Sequence, residues 1–125
     1  MTQLTASAGA RAESWAAAYL AGLGFRILRQ NFRARRGEID LIAIEDETLC
    51  FVEVRYRRRE DFAHPSSTVT RLKQRRIART ASLFLATCWS GPPCACRFDV
   101  VTIIGQPAPE ITLLRNAFSV PADSY

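Results

Sequence analysis

A chain of 125 residues with one lysine, one histidine and four cysteines has few ways to build a thiolate metal site or a disulfide framework. Cys94-Ala95-Cys96 lacks the two-residue gap of zinc knuckles, and His64 is the sole imidazole, so a structural zinc is not expected. Cys50 stands inside an apolar run, where a free thiol behaves as a small hydrophobe. It is read as reduced, together with Cys88, Cys94 and Cys96. No apolar run approaches the roughly 20 residues that cross a bilayer, so no membrane partner is expected. The opening stretch MTQLTASAGA has neither a basic n-region nor an apolar h-region, which predicts no secretory signal and a cytoplasmic location. Internal repeats and low-complexity segments are missing too.

What remains is a globular composition, 48% hydrophobic and 23% charged, long enough for one domain with its own core. Residues 1–8 read as a flexible tail and residues 9–125 as that domain. The charge is unusual in kind: sixteen of the 17 basic residues are arginine, and the net charge is +5. Most fall in three clusters, Arg26 to Arg36, Arg55 to Arg59 and Arg71 to Arg79. Such a chain suits a polyanion, nucleic acid first, while a solvated basic face would have the same composition.

The clusters flank two short apolar runs, Ile39 to Ile44 and Leu49 to Val54, separated by the polar turn Glu45-Asp46-Glu47-Thr48. Their branched and aromatic residues predict a β-hairpin, with a four-residue loop because Asp-Glu is not a favoured two-residue turn. A turn centred between Asp46 and Glu47 sets Asp40 opposite Glu53 and Glu38 opposite Arg55. Opposed carboxylates inside apolar strands repel, and a divalent cation between them is the simplest compensation. A solvated edge face, or pairing with Arg55, is the alternative.

Upstream, Ala12, Trp15, Ala16, Tyr19, Leu20 and Leu23 recur at helical spacing from Gly9 to Leu23, with Gly24 as the stop. Glu13 lies beside that stripe near the helix start, where the dipole favours an anion. Phe25, Ile27 and Phe32 suggest a strand with arginines facing outward. Residues 57–68 read as a Pro-broken loop, in which His64 is either a general base or an ordinary loop residue. A second helix is expected from Val69 to Cys88, burying Ile77, Ala81, Phe84, Leu85 and Cys88, with Leu72 close by. Lys73 falls on that stripe, aimed either at the sheet or along apolar surface with its amine in water. Strands over Arg97 to Ile104 and Glu110 to Leu114 complete the chain, and Asp99 is read first as the partner of an arginine such as Arg97, with support of the acidic site as the alternative.

This order, with acids on the second and third strands, resembles the YraN-like bacterial family, itself similar to Holliday-junction resolvases among restriction-endonuclease-like folds. The resemblance spans nearly the whole chain. It rests on the helix with Glu13, on Asn31-Phe32-Arg33, on Gly37-Glu38-Ile39-Asp40-Leu41-Ile42 and on Phe51-Val52-Glu53-Val54-Arg55. Lys73-Gln74 and Arg97-Phe98-Asp99-Val100-Val101 continue it. It implies an α/β (α+β) fold, a restriction-endonuclease-like core in the order α-β-β-β-α-β with a short final strand, its mixed sheet flanked by helices. It also implies Mg²⁺ or Mn²⁺ held by Asp40 and Glu53, with Glu13 in support. The lysine of the superfamily's Glu-x-Lys motif falls on Arg55. Arginine stays protonated, so it can position a water or stabilise charge but cannot act as a base. Lys73 is then the candidate to orient the water or phosphate.

The expected function is metal-dependent hydrolysis of DNA, branched or otherwise structured, with Asp40, Glu53, Arg55 and Lys73 as the catalytic set. Arg33, Arg35, Arg36, Arg57, Arg58 and Gln74 are expected to meet the nucleic acid. A resolvase-type activity would call for a homodimer presenting two sites. Two other classes stay open: a nucleic-acid-binding module without turnover, and an adaptor whose basic surface meets an acidic protein.

Overall fold

A computed structural model of the chain describes residues 7–57, 69–105 and 110–121. Helix α1 (Ser7–Gly22) buries Ala12, Ala16 and Leu20, one from each successive turn, with Trp15 and Tyr19 packed beside them. Gly24, at φ 102, makes the left-handed turn that ends it. The helix begins at Ser7, inside the stretch assigned to the tail, and its first turn holds no acidic residue. Glu13 therefore sits in the second turn, where the helix dipole has faded, so that expectation needs correcting.

Strands β1 (Arg26–Ala34), β2 (Gly37–Glu45) and β3 (Thr48–Arg57) follow, then helix α2 (Arg71–Thr87) and strands β4 (Ala95–Ile104) and β5 (Glu110–Phe118). The five strands lie in chain order in one mixed sheet. Neighbours are antiparallel except β3 and β4, which run parallel over their whole length. A parallel connection needs a crossover, and α2 is part of it.

The β2–β3 hairpin pairs Glu45 with Thr48 and continues to Leu41 and Val52, in the expected register. Its turn is two residues rather than four, because Asp46 takes a left-handed conformation (φ 55) that aspartate tolerates. Strand β5 runs on past Leu114 to Phe118. A bulge opposite Asp99, with Asn116 at φ 53, lets pairing resume between Phe98 and Phe118.

Alternation along the strands separates two cores. Leu41, Ala43, Cys50, Val52, Val101 and Ile103 pack with α1, whereas Ile39, Ile42, Leu49, Phe51 and Val100 pack with α2. On the second face Phe84 meets Phe32 and Phe51 edge-on, with centroids 5.3 and 6.1 Å apart. Thr70 caps α2 by accepting the N–H of Lys73. Cys88 is the residue after the helix and is exposed, not buried as the stripe suggested, because its N–H closes the last turn on Phe84. Leu72 is also in solvent, 51% exposed. Burial pushes the Cys50 thiol up to about 11, in keeping with an inert core residue. No helix among the described residues is long and apolar enough to cross a membrane.

Asp99 is fully buried and fully partnered. Its carboxylate accepts Arg97 Nε at 2.9 and 3.1 Å and the Asn116 N–H at 2.9 Å, which pins the β5 bulge. Arg97 also pairs with Glu45, which Arg115 binds from β5 at 2.8 and 2.6 Å. Both arginines lie over the ring of Phe25, 5.8 and 5.6 Å from its centre. The hydrogen bonds from Arg115, and then those from Arg97, hold Glu45 down at about 2. Asp99→Ala is expected to destabilise by about 3–5 kcal/mol, because it strands Arg97 and the Asn116 amide. Asp99→Asn, which keeps an acceptor for that amide, should lose less; urea midpoints compare the two.

Candidate metal centre and its basic border

The main-chain ladder between β2 and β3 stops at the Leu41–Val52 pair, one step short of Asp40 and Glu53. Ile39 and Ile42 then share a face although three residues apart, so the alternation of β2 slips at Asp40. The side chain takes over the work of the backbone there: Asp40 Oδ2 accepts the Val54 N–H at 2.8 Å. On the other side of β2, Asn31 falls beside Asp40 in the register that joins Gln30 to Leu41 and Phe32 to Ile39. Its φ of 55 marks an irregularity in β1 at the same level.

A cavity of about 210 Å³ opens at this point, lined by Glu13, Glu38, Asp40, Glu53, Arg55 and Lys73, with Ala12, Val54 and Tyr56. All five residues singled out for metal or catalysis therefore border one space. Carboxylate oxygens of Glu13, Glu38 and Asp40 come within 4.8 Å of one another. Glu53 stands apart from that trio. Only 5% of its side chain is exposed, and it is neutralised by Lys73 Nζ at 2.6 Å from α2 and by Arg55 at 3.6 Å from its own strand. Lys73 thus reaches the sheet, as one of its two readings had it. Arg55 turns to Glu53 rather than to Glu38, because the ladder that would have opposed Glu38 and Arg55 has ended. Glu38 instead approaches Arg33 at 3.9 Å.

Asp40 carries the electrostatic strain. Burial first, then the Glu53 charge, raise its carboxyl from 3.8 to about 8; the Val54 N–H opposes the shift, and Glu13 and Glu38 add to it. The donors are all carboxylate oxygens, a set that fits a hard divalent ion such as Mg²⁺ or Mn²⁺ and gives no soft ligand for zinc or copper. Glu38 was missing from the ligand set read in the sequence. Its position two before Asp40 was the available signal, but strict alternation would also have set it opposite Arg55.

The residues expected to meet nucleic acid divide. Arg33 and Arg36 line a groove of about 530 Å³ that shares Glu38 and Lys73 with the cavity, and Arg35 lines a neighbouring hollow. Gln74 is turned away from both, donating to the Val69 carbonyl at 2.9 Å and lining a separate depression with Arg71, Arg75 and residues 119–121. Arg57 is half-buried at the end of β3, its Nε without a partner among the described residues. Arg58 and His64 lie outside the described residues.

Residues 12–103 match the model of the uncharacterised protein family UPF0102. The chain belongs to this family. The YraN-like resemblance read from the sequence is the same relationship. A UPF0102 protein of Coxiella burnetii (strain RSA 493) is 44% identical over 120 residues, covering 96% of this chain and 98% of the relative. One from Symbiobacterium thermophilum is 47% identical over 114 residues, 88% of this chain and 94% of its own. A third, from Prosthecochloris aestuarii, is 49% identical over 98 residues, 78% and 76% of the two chains. The UPF0102 match takes in Glu13, Glu38, Asp40, Glu53, Arg55 and Lys73, every charged side chain of the cavity.

The raised Asp40 carboxyl has a definite sign. The folded chain holds that proton more tightly than the unfolded one, so its stabilising effect is complete below pH 3.8 and lost as pH rises through about 8. Asp40→Asn keeps an acceptor for Val54 and removes the charge. In metal-free buffer the variant should match wild type at low pH and exceed it by roughly 1–3 kcal/mol at high pH. Thermal melts across that range check it.

Proposed function

We propose that this protein is a divalent-metal-dependent nuclease acting on DNA, with the cavity at Asp40 as its centre. The observation that carries the reading is the gathering of Glu13, Glu38, Asp40 and Glu53 in one cavity with Lys73 and Arg55, beside a groove edged with arginine. Glu13, Glu38 and Asp40 would hold the cation, with Glu53 beside them. A Mg²⁺ or Mn²⁺ ion bound there supplies Lewis acidity toward a phosphate oxygen and an attacking water.

The chain's own residues supply the rest. Asp40, held in place by the Val54 N–H, must give up its proton before it can act as a ligand, so occupancy should rise with pH toward about 8. Lys73, on the first turn of α2, brings an ammonium paired with Glu53 to the border of the cavity and the groove, where it can orient a phosphate or a water. Arg55 offers a fixed positive charge to stabilise charge building on the phosphoryl oxygens. Arg33 and Arg36 offer positive charge to phosphates flanking the one that is cut.

One observation favours a second reading, a DNA-binding module without turnover. Both cations of the cavity are engaged with Glu53, and the strand position of the superfamily lysine is an arginine. The two readings separate on a panel of linear, single-stranded, flapped and four-way-junction DNA with Mg²⁺, Mn²⁺ or EDTA. The nuclease reading predicts metal-dependent cutting that falls by about 10²–10³-fold or more in Asp40→Ala and in Glu53→Ala. Lys73→Ala should slow cutting by more than it weakens binding. Binding without cutting by wild type under every metal condition would leave only the module.

A further inference from the structure

Outside the cavity, one side of α2 carries arginines with no carboxylate partner among the described residues. Leu72, Arg76, Arg79 and Leu83 are spaced four, three and four apart, so they form a single stripe, with Lys73 at its cavity end. All four are exposed. Opposite the stripe stands the turn between β1 and β2, which carries Arg35 and Arg36, with Arg33 just before it on β1. The walls are held close by Gly37: a Cβ there would lie 2.6 Å from Thr80 Oγ1, a distance that only glycine permits. Arg35, Arg36, Arg76 and Arg79 have no carboxylate partner among the described residues.

The hollows between these walls are joined end to end. The metal cavity shares Glu38 and Lys73 with the groove of Arg33, Arg36 and Arg76. That groove shares Ala34 and Arg36 with the hollow of Arg35, Arg79 and Leu83. From Lys73 to Leu83 the helix advances about 15 Å, at about 1.5 Å per residue. A duplex strand presents a phosphate about every 3.4 Å along its axis, so the path accommodates about four nucleotides. The other arginines of α2, Arg71 and Arg75, face away with Gln74 toward residues 119–121 and lie off this path.

We infer that Arg76 and Arg79, with Arg33, Arg35 and Arg36 on the facing turn, form a phosphate track that carries one nucleic-acid strand away from the Asp40 cavity along α2. This rests on the nuclease-type reading for what happens at the cavity, but the track binds whether or not the strand is cut. Exposed Leu72 and Leu83 give the strand's sugars apolar contact at the two ends of the stripe. The substrate is thereby held mainly to one side of the metal centre.

The test compares two double variants that remove the same charge from the same helix. Arg76→Ala/Arg79→Ala takes two arginines off the track, and Arg71→Ala/Arg75→Ala takes two from the opposite side. Binding of a labelled duplex DNA is followed in EDTA over a range of salt. The track predicts a log–log salt slope shallower by about 1.8 for the first variant, at about 0.9 per lost phosphate contact. The second variant should stay close to wild type. Equal changes in the two variants, or an unchanged slope in the first, overturn the track. Cleavage by wild type in Mg²⁺ and Mn²⁺ of the same duplex and of the single-stranded, flapped and four-way-junction DNAs keeps the two ideas apart. A slope difference without cutting supports the track and sinks the nuclease. Cutting without a slope difference does the reverse.

Discussion

The parallel pairing of β3 with β4 is the constraint on which the rest depends. Antiparallel neighbours could be joined by a tight turn, but a parallel pair obliges the chain to leave the sheet and return to the far end of the next strand. Helix α2 lies in that return path, and its first turn comes back near Glu53 on β3. The only lysine in the chain is on that turn, and it ends 2.6 Å from the Glu53 carboxylate. The same crossover puts Phe84 against Phe32 and Phe51, so apolar packing holds the helix at the height where Lys73 reaches the sheet.

Two buried aspartates show how differently the fold treats charge. Asp99 receives Arg97 and the Asn116 N–H, its neighbour Glu45 receives Arg97 and Arg115, and the cluster is complete within the chain. It fastens an edge strand and asks for nothing from outside. Asp40 receives one backbone N–H and is otherwise surrounded by Glu13, Glu38 and Glu53. Burial and like charge both work against its ionised form, and no cation of the chain binds it directly among the contacts described. The fold thus compensates one buried acid completely and leaves the other among acids.

That cavity is also small and its surroundings are large and basic. Three carboxylates and Glu53 line about 210 Å³ of space, while the adjoining groove is more than twice that volume and edged with arginine. Charge of opposite sign therefore lines adjacent spaces, and Lys73 and Glu38 stand on the border between the two. The net charge of +5 is therefore not spread evenly, and its arrangement along α2 and the β1–β2 turn gives it direction.

Much of this was legible in the residues. The α1 stripe ending at Gly24, the hairpin with its register and the pairing of Asp99 with Arg97 follow from local periodicity, turn position and the charge of near neighbours. These are short-range properties and need no knowledge of the fold. The sequence also carried Glu13, Asp40, Glu53, Arg55 and Lys73 as the residues to watch. It could not place Glu38 among the acids, because strict alternation set it against Arg55 and only the lapse in pairing at Asp40 frees it. Nor could it sort the arginines of α2. Arg71 and Arg75 look like Arg76 and Arg79 in a list, and the helix's docking on the sheet alone decides which side meets the groove. Local interactions determined the elements and their acids; the crossover of α2 and the end of the β2–β3 ladder before Asp40 decided which of them meet, since only packing sets distances between residues far apart in the chain.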